Sequence, residues 1–89
     1  MKQLDVQVTN RLGLHARAAA RFVHLANRFT ARITVSKDGS RVNGKSILGL
    51  LTLAAQQGAS LRLAADGDDE VQALAELQAL VRDRFGESC

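Results

Sequence analysis

Residues 32–42 read Arg32-Ile33-Thr34-Val35-Ser36-Lys37-Asp38-Gly39-Ser40-Arg41-Val42, and this stretch decides the fold. Ile33 and Val35 alternate with Thr34 and Ser36, the two-residue period of a strand with one buried face. Asp38-Gly39 is a strong hairpin signal, because a two-residue type I′ turn needs positive φ at both central positions. A short return strand around Arg41 and Val42 follows. An antiparallel pair therefore sits at the centre of the 89-residue chain.

Toward the N-terminus, Ala16 to Phe29 places Ala19, Phe22, Val23, Ala26 and Phe29 on one helical stripe. Asn10 to Gly13 is turn chemistry, and residues 3–9 alternate through Leu4, Val6 and Val8. Toward the C-terminus, Ser46 is a candidate N-cap for a short helix with Ile47, Leu50, Leu51 and Ala54 inward and Gly58 ending it. Residues 60–65 alternate through Leu61, Leu63 and Ala65. Gly67-Asp68-Asp69-Glu70 opens a last helix, apolar at Val71, Leu74, Leu77, Val81 and Phe85, with Gln78 its one polar interruption. The order is β-α-β-β-α-β-α. One hairpin and short connections predict an α+β, two-layer sandwich: a mostly antiparallel four-stranded sheet with the helices on one face. No linker, repeat or low-complexity segment divides the chain, so residues 1–89 read as one domain.

Composition narrows the functional classes. A chain this short buries roughly 60–65% of the surface that its unfolded form exposes. Apolar residues make up 46% and charged ones 24%, as in ordinary globular proteins, and the only aromatics are three Phe. The core must come from Leu, Val, Ile and Ala. No apolar run reaches the roughly 20 residues of a membrane span, and the first five residues lack a secretory apolar region. A lone cysteine, Cys89, excludes an internal disulfide and a cysteine-based zinc site. A cytoplasmic monomer without a metal or cofactor is expected. The net charge of +3 is unevenly spread: residues 1–45 hold nine Lys or Arg against two Asp, and residues 46–89 hold three Arg against seven acids. A basic half suits nucleic acid, an acidic protein surface or phosphate, and charge alone does not choose.

The helix starts bear on the choice. Asp68, Asp69 and Glu70 open the last helix, and Arg82 and Arg84 lie near its end, matching the macrodipole at both termini. The first helix is reversed: Arg11, His15 and Arg17 surround its start, with no acid between Asp5 and Asp38. A cation in the first turn is unfavourable by ~0.3–1 kcal/mol, and the first backbone N–H groups lack partners. A bound phosphate relieves both. Lys45 before Ser46 repeats the theme more weakly at the second helix. His15 adds a nucleophile that works near neutral pH without a separate base. A phosphoryl group on it would meet helix N–H donors and Arg17. Residue type and spacing also fit the commoner alternative, a turn histidine with a solvated arginine beside it. Arg17, Arg21, His24 and Arg28 recur opposite the apolar stripe, either as a solvated face or as a docking face continuous with His15. His24 has no ligand partner and reads as surface.

The segment Gly13-Leu14-His15-Ala16-Arg17-Ala18-Ala19 resembles the active-site signature of the histidine-containing phosphocarrier proteins (HPr) of the bacterial phosphotransferase system. Asn43-Gly44-Lys45-Ser46-Ile47-Leu48-Gly49-Leu50-Leu51 resembles that family's second signature, at matching spacing. The resemblance implies strand order 1-4-2-3 with three helices on one face. It also implies that His15 accepts a phosphoryl group on Nδ1 from the phosphohistidine of enzyme I and donates it to EIIA domains or EIIA-like regulators. Arg17 and the helix amides would hold the phosphate. Ala20, Arg21, Lys45, Ile47, Leu48 and Leu51 would form the docking patch. The chain would be a stoichiometric carrier in sugar uptake or its carbon catabolite regulation, not an enzyme. A nitrogen-type regulatory carrier without sugar transport fits the same residues. One departure stands out: where the family usually has proline, this chain has Ala18. Alanine is the best helix former, so the helix should survive with a less rigid start and altered transfer kinetics. The resemblance gives Ser46 a second role beside capping, as the target of an HPr kinase/phosphorylase; the sequence leaves both open.

Two rival readings fail on residues. Gly39-Ser40-Arg41-Val42-Asn43-Gly44-Lys45-Ser46 matches the P-loop pattern. Such a loop needs a buried strand running straight into its first glycine, whereas Asp38-Gly39 reads as a hairpin turn and 40–42 as the returning strand. A single-strand nucleic-acid module would stack bases on exposed aromatics, yet Phe22 and Phe29 lie on the apolar stripe.

Overall fold

The structure, a computed structural model, describes all 89 residues. Strand β1 (Lys2–Gln7) leads to helix α1 (Ala16–Ala26), then β2 (Arg32–Lys37) and β3 (Ser40–Asn43). Helix α2 (Ile47–Thr52), β4 (Ser60–Asp66) and helix α3 (Glu70–Arg82) follow, and a short left-handed turn at Arg84–Gly86 ends the regular structure. The strand order is β1-β4-β2-β3 with every pair antiparallel. Because β4 lies between β1 and β2, α1 crosses over it, and α2 likewise joins β3 to β4 across β2.

The register makes the two faces differ. Leu4 pairs with Leu63, Leu63 with Val35, and Val35 with Val42, an apolar row across all four strands. One residue along, Asp5, Arg62, Ser36 and Arg41 form the corresponding row on the other face. Asp5 and Arg62 pair there at 2.9 Å, exposed. Helices therefore cover the first face only, and 23 apolar residues form one core between the layers. At about 1.5–3 kcal/mol per large side chain, that burial is the main term favouring the fold.

The predicted hairpin is present: Asp38 and Gly39 have φ of 50° and 85°, and Lys37 faces Ser40. Residues 39–46 run as hairpin turn, strand, turn and helix cap, not as a loop wrapped around phosphate. Five expectations need correction. The first helix ends at Ala26, although Phe29 stays buried beyond it. Helix α2 stops at Thr52, well before Gly58, because Ala54 turns left-handed at φ 50°. Within α2 only Leu50 is buried; Ile47 and Ala54 face solvent, and Leu53 and Ala55 enter the core instead. In α3 the buried residues are Ala73, Leu74, Leu77 and Val81. Val71 lies about 100° around the helix from the centre of that stripe and is exposed. Phe85 is fully buried but outside the helix.

Candidate functional site

The loop between β1 and α1 is fixed by backbone constraints before any side chain acts. Gly13 sits at φ +69°, and a Cβ there would lie 2.4 Å from the Ala55 carbonyl oxygen, so only glycine fits. Leu14 donates its amide to that same oxygen at 2.9 Å. Buried Asn10 reaches back and donates Nδ2 to the Gly13 carbonyl at 2.7 Å. These contacts deliver His15 to the N-cap position of α1 with extended backbone, φ −83° and ψ −179°.

As an N-cap, His15 is unusual. Its carbonyl accepts from Ala19 at 2.8 Å, as an N-cap's should, but its side chain caps nothing. Ala16, Arg17 and Ala18 therefore start the helix with amides that donate to nothing in the chain, and no acid lies in the first turn. Free donors and the positive end of the dipole thus converge beside the imidazole. Arg17 is exposed and makes no ion pair, so its guanidinium is available to an incoming anion. Ala18 is fully buried and continues the helix without distortion.

The imidazole's own partner comes from the far end of the chain. After α3, Arg84, Phe85 and Gly86 have φ of 56°, 54° and 80°, three successive left-handed residues that reverse the backbone. Non-glycine residues in that region cost about 1–2 kcal/mol each. Burial of the whole Phe85 ring and a hydrogen bond from Arg21 Nη1 to the Phe85 carbonyl oppose that cost. The reversed segment brings Glu87 against His15, where Oε2 of the carboxylate meets Nε2 of the ring. The other oxygen, Oε1, accepts from Asn10 Nδ2 at 2.9 Å. That hydrogen bond is the main reason the Glu87 carboxyl titrates below the usual glutamate range; burial opposes it, and the His15 hydrogen bond and charge and the Arg21 charge reinforce it. Asn10 Oδ1 is left buried without a partner.

The second predicted site lies at the start of α2, which packs beside α1. Ser46 is its N-cap, accepting the Gly49 amide on Oγ at 3.0 Å. Of the residues predicted to dock partners, Leu48 is 77% exposed and Ile47 41%, so both present apolar surface. Ala20 and Arg21 are exposed on α1, and Leu51 is half-buried. Lys45 is more constrained: its Nζ donates to the Phe29 carbonyl at 2.7 Å and ties the β3–α2 turn to the segment between α1 and β2. His24 is exposed, as predicted. No group of three or more His, Cys, Asp or Glu is placed to hold a metal ion. No helix is long and apolar enough to cross a membrane.

Sequence reasoning missed Glu87 altogether and read Asn10 only as a turn residue. No local pattern marks an acid that meets a histidine 72 positions earlier. The single available signal, Gly86, explains the last of the three left-handed residues but not the two before it.

Comparison with known proteins gives the family and supports the fold. A family model described as the PTS HPr component phosphorylation site matches residues 2–83. The phosphocarrier protein HPr of Neisseria meningitidis is 45% identical over 87 residues, covering 98% of each chain. The HPr-like protein Crh of Bacillus subtilis is 48% identical over 83 residues, 93% of this chain and 98% of that one. A crystal structure of HPr from Thermoanaerobacter tengcongensis superposes with a TM-score of 0.96 at 44% identity, with full coverage of both chains. Another from that organism, at TM-score 0.78 and 45% identity over 98% of this chain and 100% of that one, is described as an HPr dimer. The chain belongs to the HPr family of phosphocarrier proteins of the phosphotransferase system.

Proposed function

We propose that this chain is a stoichiometric, cytoplasmic, monomeric phosphoryl carrier that takes a phosphoryl group from enzyme I phosphohistidine onto Nδ1 of His15. It passes the group to the histidine of an EIIA domain or EIIA-like regulator. The observation carrying this reading is the N-terminus of α1, where three unpaired amides and an unpaired Arg17 surround a histidine that caps nothing. Nε2 is engaged by Glu87, which leaves Nδ1 as the ring nitrogen without a partner.

In the transfer, the Nδ1 lone pair attacks phosphorus while the donor's N–P bond breaks and its electron pair returns to the donor ring. The helix amides and Arg17 stabilise the equatorial oxygens, whose charge is largest in the transition state. Onward donation is the same step in reverse. The exposed Ile47 and Leu48 on α2 and the exposed Ala20 and Arg21 on α1 serve partner docking. Ser46 caps α2 and is a regulatory phosphorylation site of an HPr kinase/phosphorylase, acting by charge beside that patch.

Incubation with phosphoenolpyruvate, Mg²⁺ and enzyme I should place acid-labile, alkali-stable phosphate on the wild-type chain and none on His15→Ala. Equal labelling of His15→Ala would overturn the reading.

A further inference from the structure

We propose that Glu87 is a positioning residue for His15, holding the neutral ring in the Nε2–H tautomer so that Nδ1 keeps the lone pair needed for transfer. The proposal rests on the carrier reading for its consequence, though not for its geometry.

The hydrogen-bond chain leaves little freedom. Asn10 is fully buried, and its Nδ2 faces two oxygens, the Gly13 carbonyl and Glu87 Oε1. Both only accept, so the Asn10 amide cannot turn over without setting oxygen against oxygen. The carboxylate it holds is also an acceptor only when ionised. Whatever nitrogen meets Glu87 Oε2 must therefore carry the proton, and that nitrogen is Nε2 of His15. In a neutral imidazole the remaining nitrogen then has a free lone pair.

The carboxylate also has a role as the bond forms. Once Nδ1 bonds phosphorus, a ring protonated on Nε2 carries positive charge, and Glu87 lies directly against it. A buried acid that fixes a histidine tautomer and stabilises the resulting imidazolium is the third member's role in hydrolase triads. The segment carrying Glu87 is held firmly enough to act this way. Phe85 is buried, Arg21 bonds the Phe85 carbonyl, and Arg11 donates its amide to the Cys89 carbonyl at 2.9 Å.

Glu87→Gln separates charge and shape from proton direction. The Asn10 Nδ2 group still demands an acceptor, so the glutamine oxygen takes that side and its NH2 group faces His15. A donor there needs a lone pair on Nε2, which moves the ring proton to Nδ1 and blocks the nucleophile. Glu87→Ala imposes no direction and leaves the ring a mixture.

The test is ring-15N NMR of the full chain, read at the alkaline end of a pH series where the ring shifts no longer change. Single-turnover transfer from phosphorylated enzyme I is measured alongside. Wild type should show the Nε2–H tautomer, Glu87→Ala a mixture, and Glu87→Gln mainly Nδ1–H. The Gln variant's maximal transfer rate should fall at least about tenfold, the apparent KM for enzyme I changing little. Unchanged backbone amide spectra would show that both variants fold. A Glu87→Gln chain that keeps the wild-type tautomer, or one that switches tautomer and transfers at the wild-type rate, would overturn the proposal. Absence of label on the wild-type chain refutes the carrier reading instead, and it is read independently of the tautomer.

Discussion

Asp69, the last residue before α3, accepts the backbone amide of Ala31 on Oδ1 at 2.9 Å. Its other oxygen accepts the Thr30 amide at 2.9 Å. The side chain makes no cap hydrogen bond to its own helix. It stitches the start of α3 to the turn that feeds β2, 38 residues away. The acidic run that reads as a dipole partner is thus also a tertiary tie.

These backbone hydrogen bonds, the Thr30 one first, hold the Asp69 carboxyl below the usual aspartate range. A carboxyl whose native pKa is depressed binds fewer protons folded than unfolded. Its stabilisation is therefore complete above about pH 3.9 and lost as pH falls through the lower native value. Asp69→Ala should lower the thermal midpoint at neutral pH and flatten its dependence on pH below about 4. An unchanged midpoint at neutral pH would show that the tie contributes nothing.

Ser46→Ala removes the Oγ acceptor from the Gly49 amide. It should cost about 1 kcal/mol in denaturant unfolding, as loss of an N-cap does. Phosphoryl transfer through His15 should be nearly intact, since the hydroxyl takes no part in it. A large fall in transfer rate would mean that Ser46 also shapes the docking face.

Arg17→Ala should do the opposite. Exposed and without an ion pair, Arg17 can be removed within about 0.5 kcal/mol of wild-type stability. Stopped-flow transfer from enzyme I should nevertheless slow markedly, because a guanidinium on the transferring group is lost. Equal rates would remove Arg17 from the site.

Gly13→Ala combines a left-handed φ with a Cβ 2.4 Å from a carbonyl oxygen. The conformational part alone costs about 1–2 kcal/mol, and the clash adds to it. Unfolding experiments should show a loss greater than that of Ser46→Ala, together with slowed transfer as His15 shifts. A loss of under about 0.5 kcal/mol would mean that the loop relaxes freely.

Where sequence spoke clearly, the physics was local. The Asp38-Gly39 turn, the two-residue alternation of Ile33 and Val35 and the Ser46 cap each depend on a few neighbouring residues, and each appears in the structure. The length of α2 was not legible, since Ala54 adopts a left-handed conformation that alanine does not advertise. Lys45 reads as a free cation in a basic half, but its ammonium belongs to the Phe29 carbonyl. Half of the candidate site was legible: a helix start without acids singles out His15 and Arg17 as candidates, and the resemblance to a phosphocarrier signature, not the spacing, favours the functional reading. Glu87 meets His15 and Asn10 only because the left-handed Arg84, Phe85 and Gly86 fold the last segment back, a long-range outcome with no short-range pattern.

Ring-15N-labelled protein, phosphorylated by enzyme I with phosphoenolpyruvate and Mg²⁺, gives the most direct measurement. Phosphorus should couple to Nδ1 of His15 alone, with His24 and the serine hydroxyls unchanged. A phosphoryl group on Nε2 of His15, on His24 or on Ser46 after that reaction would contradict the account.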